Sequence, residues 1–146
     1  MNANLFTAIC DHLEKEVPEL RWIDEDEGQL NTQPGVRPPV DFPCCLIDIQ
    51  YSGCRDITDT EQVVTASITL KIAFQPTGET NNKVPEHIRK KALERLSITD
   101  KIHVAIQGWT ADDTISPISR RNARPSVMAN KAKLYTIVYE TTFEEY

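Results

Sequence analysis

Residues Gln62–Phe74 (QVVTASITLKIAF) constrain the fold more than any other stretch of this chain. Val64, Ala66, Ile68, Leu70, Ile72 and Phe74 alternate with Val63, Thr65, Ser67, Thr69, Lys71 and Ala73. A repeat of two marks a strand with one buried face and one wetter face. At about 3.3 Å per residue the strand spans roughly 43 Å. A domain of 146 residues has a radius of gyration of only about 15 Å, so this strand crosses its full width. A ribbon of that length on a small domain points to contact with another molecule.

The remaining segments arrange themselves around this strand. Leu5, Ile9, Leu13 and Val17 recur every four residues, with Phe6 and Cys10 beside them, which predicts an amphipathic helix. Asn2 or Asn4 caps its start and Pro18 stops it. Residues 20–23 read as a short strand with Trp22 turned inward, followed by an exposed acidic turn at Asp24, Glu25, Asp26 and Glu27. Residues 31–43 hold four prolines and form an irregular loop. Residues 44–51 alternate as a strand, with Cys45, Ile47, Ile49 and Tyr51 on one face. Polar residues 52–61 connect it to the long strand, so the two form an antiparallel hairpin whose far end projects.

A loop is expected over residues 76–83. Two helical segments follow, 85–96 and 97–107, the second capped at Ser97 or Thr99 and ended by Gly108. Ile88, Ala92, Leu93 and Leu96 make the apolar side of the first segment, and Trp109 packs just beyond the second. Residues 112–130 read as mostly irregular, with a basic cluster at Arg120, Arg121 and Arg124. Residues 131–143 form a last strand with apolar side chains on both faces, hence an inner position in the sheet. The fold class is α+β: one domain over residues 1–146, an antiparallel sheet with a long hairpin and helices on one face, in the order α-β-β-β-α-α-β.

Sites for chemistry are sparse. Cys44 and Cys45 are adjacent and point to opposite sides of a strand, so with Cys54 they do not make a zinc site. Four cysteines without an export signal read as reduced thiols in a cytoplasm. No nucleophile signature or glycine-rich phosphate loop occurs, and pairings of His103 with Cys10 or Asp100 have no motif behind them. The expectation is no catalytic residue, no metal and no cofactor. No apolar run is long enough for a membrane span.

Charge is the more telling signal. Residues 1–61 hold 13 acidic and 4 basic side chains, whereas residues 62–146 hold 9 acidic and 12 basic. Opposed charge on two surfaces of one chain suits a heterologous, head-to-tail contact between copies, which closes into a ring when the rotation allows. The candidate interface residues are Asp24, Glu25, Asp26 and Glu27 on one side and Arg120, Arg121 and Arg124 on the other, with Arg55 on the hairpin. The arginines also have a use on phosphates, but the net charge of −6 and the lack of nearby aromatic residues disfavour nucleic acid.

The layout resembles a known family. A short helix leads into a long hairpin. A helical segment ending in KIHVAIQGW, an irregular stretch containing ISPISRRNAR and a final strand ending in VYETTF follow. This order is similar to that of the tail terminator, or tail-completion, proteins of long-tailed phages and prophages. The resemblance implies a non-enzymatic structural role: a hexameric ring that caps the tail tube and helps join the head, with tail-tube and head-completion proteins as partners. It implies assembly in the cytoplasm and a final place in the virion tail. Alternatives are a neck or baseplate adaptor of the same plan, and a small cytoplasmic enzyme or ligand-binding domain, which requires a deep apolar pocket with converging polar groups.

Overall fold

The computed structural model describes residues 2–75 and 80–146; part of the loop expected over 76–83 thus lies outside the described residues. Helix α1 (Ala3–Glu16) starts at Asn2, whose side-chain oxygen accepts the Leu5 N–H at 2.9 Å. Its stripe of Leu5, Ile9 and Leu13 is fully buried. Strand β1 (Trp22–Glu25) runs parallel to β2 (Cys44–Asp56), and β2 pairs antiparallel with β3 (Gln62–Phe74). Helix α2 (Glu86–Ile106), edge strand β4 (Ser119–Val127) and β5 (Lys133–Glu145) complete the chain. The five-stranded sheet has the order β1-β2-β3-β5-β4 and is mixed rather than antiparallel as expected, because the long crossover lays β1 parallel to β2.

The α+β class, the long hairpin and the helices on one sheet face are as the sequence predicts. Strand β3 has the bounds expected of it and lies at the sheet centre, paired with β5 along its whole length and with β2 from Gln62 to Ala73. Its inner face, Val64 to Phe74, joins Leu5, Ile9, Leu13, Cys45, Ile47, Ile102, Ile106, Ile137 and Tyr139 in the main core. Strand β5 sits between β3 and β4, the inner position its two apolar faces predict.

Several local expectations are corrected. Trp22 is 37% exposed rather than inward. The strand begins at Trp22, and parallel register places Ile23 opposite Cys45, so Ile23 takes the helix-side face and Trp22 the other. The acidic run is not one exposed turn: Asp24 and Glu25 belong to β1, and the Asp26 N–H bonds to the Ile47 carbonyl. The hairpin connection is shorter than residues 52–61. Strand β2 continues to Asp56 across a bulge near Ser52, and β5 accompanies the ribbon to Glu145 opposite Gln62. Only the turn after Asp56 extends beyond the sheet.

The two helical segments run on as one helix. Ser97 and Thr99 are not caps; the Thr99 hydroxyl donates to the Arg95 carbonyl at 2.8 Å and is satisfied inside the helix. Gly108 ends α2 with φ of +77°, a conformation that a side chain disfavours. Trp109 then stacks on His12, with ring centroids 4.1 Å apart and planes 6° from parallel. His12 Nε2–H donates to the Ala105 carbonyl at 2.7 Å, so one histidine ties α1 to the end of α2. The first half of α2 is less covered than its apolar spacing predicts: Ile88 is 39% and Leu96 42% exposed. Residues 119–127, read as irregular, are β4, whose mostly exposed side chains supply no apolar alternation.

The proline-rich loop has a structural task. A parallel pair needs a crossover of about a dozen residues or more. The stretch between Glu25 and Cys44 supplies it and packs Leu30, Val40 and Phe42 against Cys44, Leu46 and Ala73 on the sheet face away from the helices. Cys44 and Cys45 accordingly belong to different cores.

Two substitutions test this description by urea denaturation. Ile68→Ala, at the centre of β3, is expected to cost about 2–5 kcal/mol through lost burial and a residual cavity. Gly108→Ala meets open space around its Cβ, so its cost of about 1–2 kcal/mol is the backbone penalty alone.

Candidate functional site

The sheet order places the acidic and basic candidates at its two opposite edges. Strand β1 carries Asp24 and Glu25, with Asp26 and Glu27 following; β4 carries Arg120, Arg121 and Arg124. Four inter-strand steps of about 4.8 Å separate them by roughly 19 Å. Arg55 joins neither group. It lies near the far end of β2, exposed and opposite Val63.

Each acidic side chain has its own setting. Asp24 accepts the Glu25 N–H at 2.7 Å, and Gln29 braces the turn through the Glu25 carbonyl at 2.9 Å and the Glu27 N–H at 2.7 Å. Asp26 accepts the Gly28 N–H and forms a 2.9 Å ion pair with Lys71 of β3. Burial works to raise its pKa, but Lys71 and the Gly28 N–H outweigh it and the net direction is down. Asp26 is thus engaged within the fold, whereas Glu25 and Glu27 are exposed.

The basic edge divides between the two faces of the sheet. Arg120 lies opposite Tyr139 on the helix side. Its backbone N–H donates to Gln107 Oε1 at 2.8 Å, and its charge, after burial, helps lower the pKa of His103. Arg121 sits at the bulge between Arg120 and Asn122 and reaches Glu140 at 3.2 Å. That pair is largely solvated and contributes under about 1 kcal/mol. Arg124 lies opposite Thr136 on the other face. Three arginines, a bulge and Pro125 also blunt this edge against indiscriminate strand pairing.

Helix α1, on the β1 side of the helix layer, adds the exposed carboxylates Asp11 and Glu14, not singled out in the sequence. Burial, helped by the negative charges of Asp11, Asp24 and Glu14, raises the pKa of Cys10 to about 11. The helical repeat held the signal, because Asp11 and Glu14 fall off the apolar stripe. Burial likewise raises Cys44, to about 11, and Cys45, so these three thiols are protonated and unreactive near neutral pH. Among the described residues no group of three His, Cys, Asp or Glu is placed to hold a metal ion. His103 Nδ1 lies 3.0 Å from Tyr139 Oη, its partner in place of a cysteine or Asp100.

A cleft of about 870 Å³ opens near the C-terminal end of β5. Val63, Ile115 and Phe143 give it apolar surface, Asp112, Asp113 and Glu144 give it acidic surface, and neither histidine nor cysteine lines it. Asp112 accepts both the N–H and the O–H of Thr114, bonds that lower its pKa, the opposite of what a general acid requires.

No family model matches the chain, and no curated protein matches it in sequence. Among solved structures it is similar to a chain of a structure titled "Virion of native gene transfer agent (GTA) particle". The likeness covers 97% of this chain and 95% of that one, with a TM-score of 0.55 and 9% sequence identity. At that identity the likeness is one of fold, and it extends over essentially the whole of both chains.

The Asp26–Lys71 pair yields a pH test. Asp26→Asn is expected to lower stability by about 1–2 kcal/mol at pH 7, the scale of a hydrogen-bonded charge. The folded-state pKa lies below the usual 3.8, so the contribution is complete above that value and disappears as pH falls through the depressed one. Urea melts of wild type and variant should therefore converge once the pH is well below the ordinary carboxylate value of 3.8; a difference that persists there assigns the effect to packing instead.

Proposed function

We propose that this chain is a structural protein of a phage-like virion, a tail terminator whose copies join head to tail into a ring. The observation that carries the reading is the placement of an acidic and a basic edge on opposite sides of one sheet. Such an arrangement is self-complementary only between unlike edges. Two β4 edges repel through their arginines, and two β1 edges repel through their carboxylates. A heterologous contact satisfies both, and its repetition closes a ring if the rotation per copy permits. The full-length fold similarity to a chain of a gene transfer agent virion supports the phage-like part of the reading.

In this reading Glu25 and Glu27 of one copy meet Arg120 and Arg124 of the next. The contact lies at exposed charges, so it weakens with ionic strength. The role is non-enzymatic, with the tail tube and head-completion proteins as partners and the virion tail as the final location. Ring number, six in the resembling family, follows from the angle between copies.

Light scattering at moderate salt, with and without the cognate tail-tube protein, tests the proposal. Wild type should form a closed oligomer of fixed mass. Arg120→Glu with Arg124→Glu should weaken assembly by about tenfold or more, the scale of losing one to two charge contacts. Glu25→Lys with Glu27→Lys should do the same, and the four changes together should restore much of it. A strictly monomeric wild type under all these conditions rejects the ring. A ring that binds tail components other than the tube end favours a neck or baseplate adaptor.

A further inference from the structure

The first half of α2 leaves two apolar side chains partly exposed. Ile88 and Leu96 are 39% and 42% exposed, although both belong to the apolar spacing that Ile98, Ile102 and Ile106 continue into the core. Leu96 lies two turns before His103 and shares its flank of the helix. That flank borders β4, because His103 meets Tyr139, the register partner of Arg120. Exposed Arg89, Lys90 and Lys91 accompany these apolar side chains, and the basic residues of this half outnumber Glu86 and Glu94.

The opposite flank of the helix layer is acidic. Helix α1 lies on the β1 side, and its Asp11 and Glu14 are exposed. Half-buried Phe6 of the same helix shares a surface with Glu25 and packs against the core. Both helices cover the same face of the sheet. Bringing the β4 edge of one copy to the β1 edge of another therefore also brings the α2 of the first copy to the α1 of the second.

We infer that the first half of α2 docks on the outer flank of α1 in a second copy of this chain. The inference rests on the head-to-tail reading above and adds a second layer to its contact. Ile88 and Leu96 lose water against the Phe6 side of the neighbouring helix, while Arg89 and Lys90 meet Asp11 and Glu14. The apolar layer gives the contact a component that salt does not screen, beside the screened contact of the strand edges. Charge complementarity selects a second copy as the occupant: one chain carries both the basic, apolar-centred half-helix and an acidic helix flank, on the two sides that head-to-tail stacking unites.

Ile88→Ser with Leu96→Ser tests the apolar component in the full chain. Both positions are partly solvated, so thermal unfolding of the monomer should change little, while assembly measured by light scattering should weaken about tenfold or more at high salt. The ionic component is tested by reversal. Arg89→Glu with Lys90→Glu, and separately Asp11→Lys with Glu14→Lys, should each impair assembly, and the combination should regain it. Recovery in the combined variant distinguishes a direct contact from a folding defect. If wild type assembles and the β4 arginine reversals impair it, yet these helix variants assemble like wild type, the helix contact is overturned and the ring stands. If wild type fails to assemble alone and with the tail-tube protein, both are overturned.

Discussion

Everything in this molecule hangs on β3 being paired on both sides. All of its residues hold register with β5, and all but Phe74 with β2, so its alternation is locked. A slip of one residue would turn Val64, Ile68, Leu70 and Ile72 to the wrong face and bring Thr65, Ser67, Thr69 and Lys71 under the helices. The helices, the crossover loop and both edges take their positions from that register. Lys71 shows the coupling directly: on the face away from the helices it holds Asp26, so the central strand fixes the turn that follows the outermost one.

The topology turns a division along the chain into a division in space. The acid-rich first part supplies α1 and β1, and the base-rich second part supplies α2 and β4. Because the sheet order is β1-β2-β3-β5-β4, the first strand and the fourth stand at opposite edges with the long ribbon between them. A sequence imbalance thereby becomes a dipolar arrangement of surfaces. Another strand order with the same elements could have mingled the charges and removed it.

What was legible in the sequence follows from how each element is buried. Helix α1, β3 and β5 were readable because a single face repeats its burial over many residues. Gly108 was readable as a stop because its backbone needs a positive φ. Strand β4 was not readable: an exposed edge strand with Arg120, Arg121, Arg124 and Pro125 shows no apolar period. The break expected between two helices arose from Ser97 and Thr99, residues that favour caps in isolation but whose preference the continuing core face of α2 overrides. The acidic and basic groups of the candidate site were legible as composition. Their separation to opposite edges was not, since it depends on β4 existing and on β1 pairing parallel to β2.

The uneven anchoring of α2 has a mechanical consequence. Its last two turns are held by Ile102 and Ile106 in the core, by Gly108 N–H on the Ile118 carbonyl and by the Ala105 carbonyl on His12. Its first half has Ala92 buried and Arg95 reaching Tyr135, but Ile88 and Leu96 remain partly exposed. The helix is therefore a cantilever clamped at its C-terminal end. Local opening should become easier toward Pro85, with amide exchange fastest there and slowest near Ile106. A force applied to the first half is carried to the far end, where the His12–Trp109 stack and the His12 bond to the Ala105 carbonyl join α1 to the end of α2.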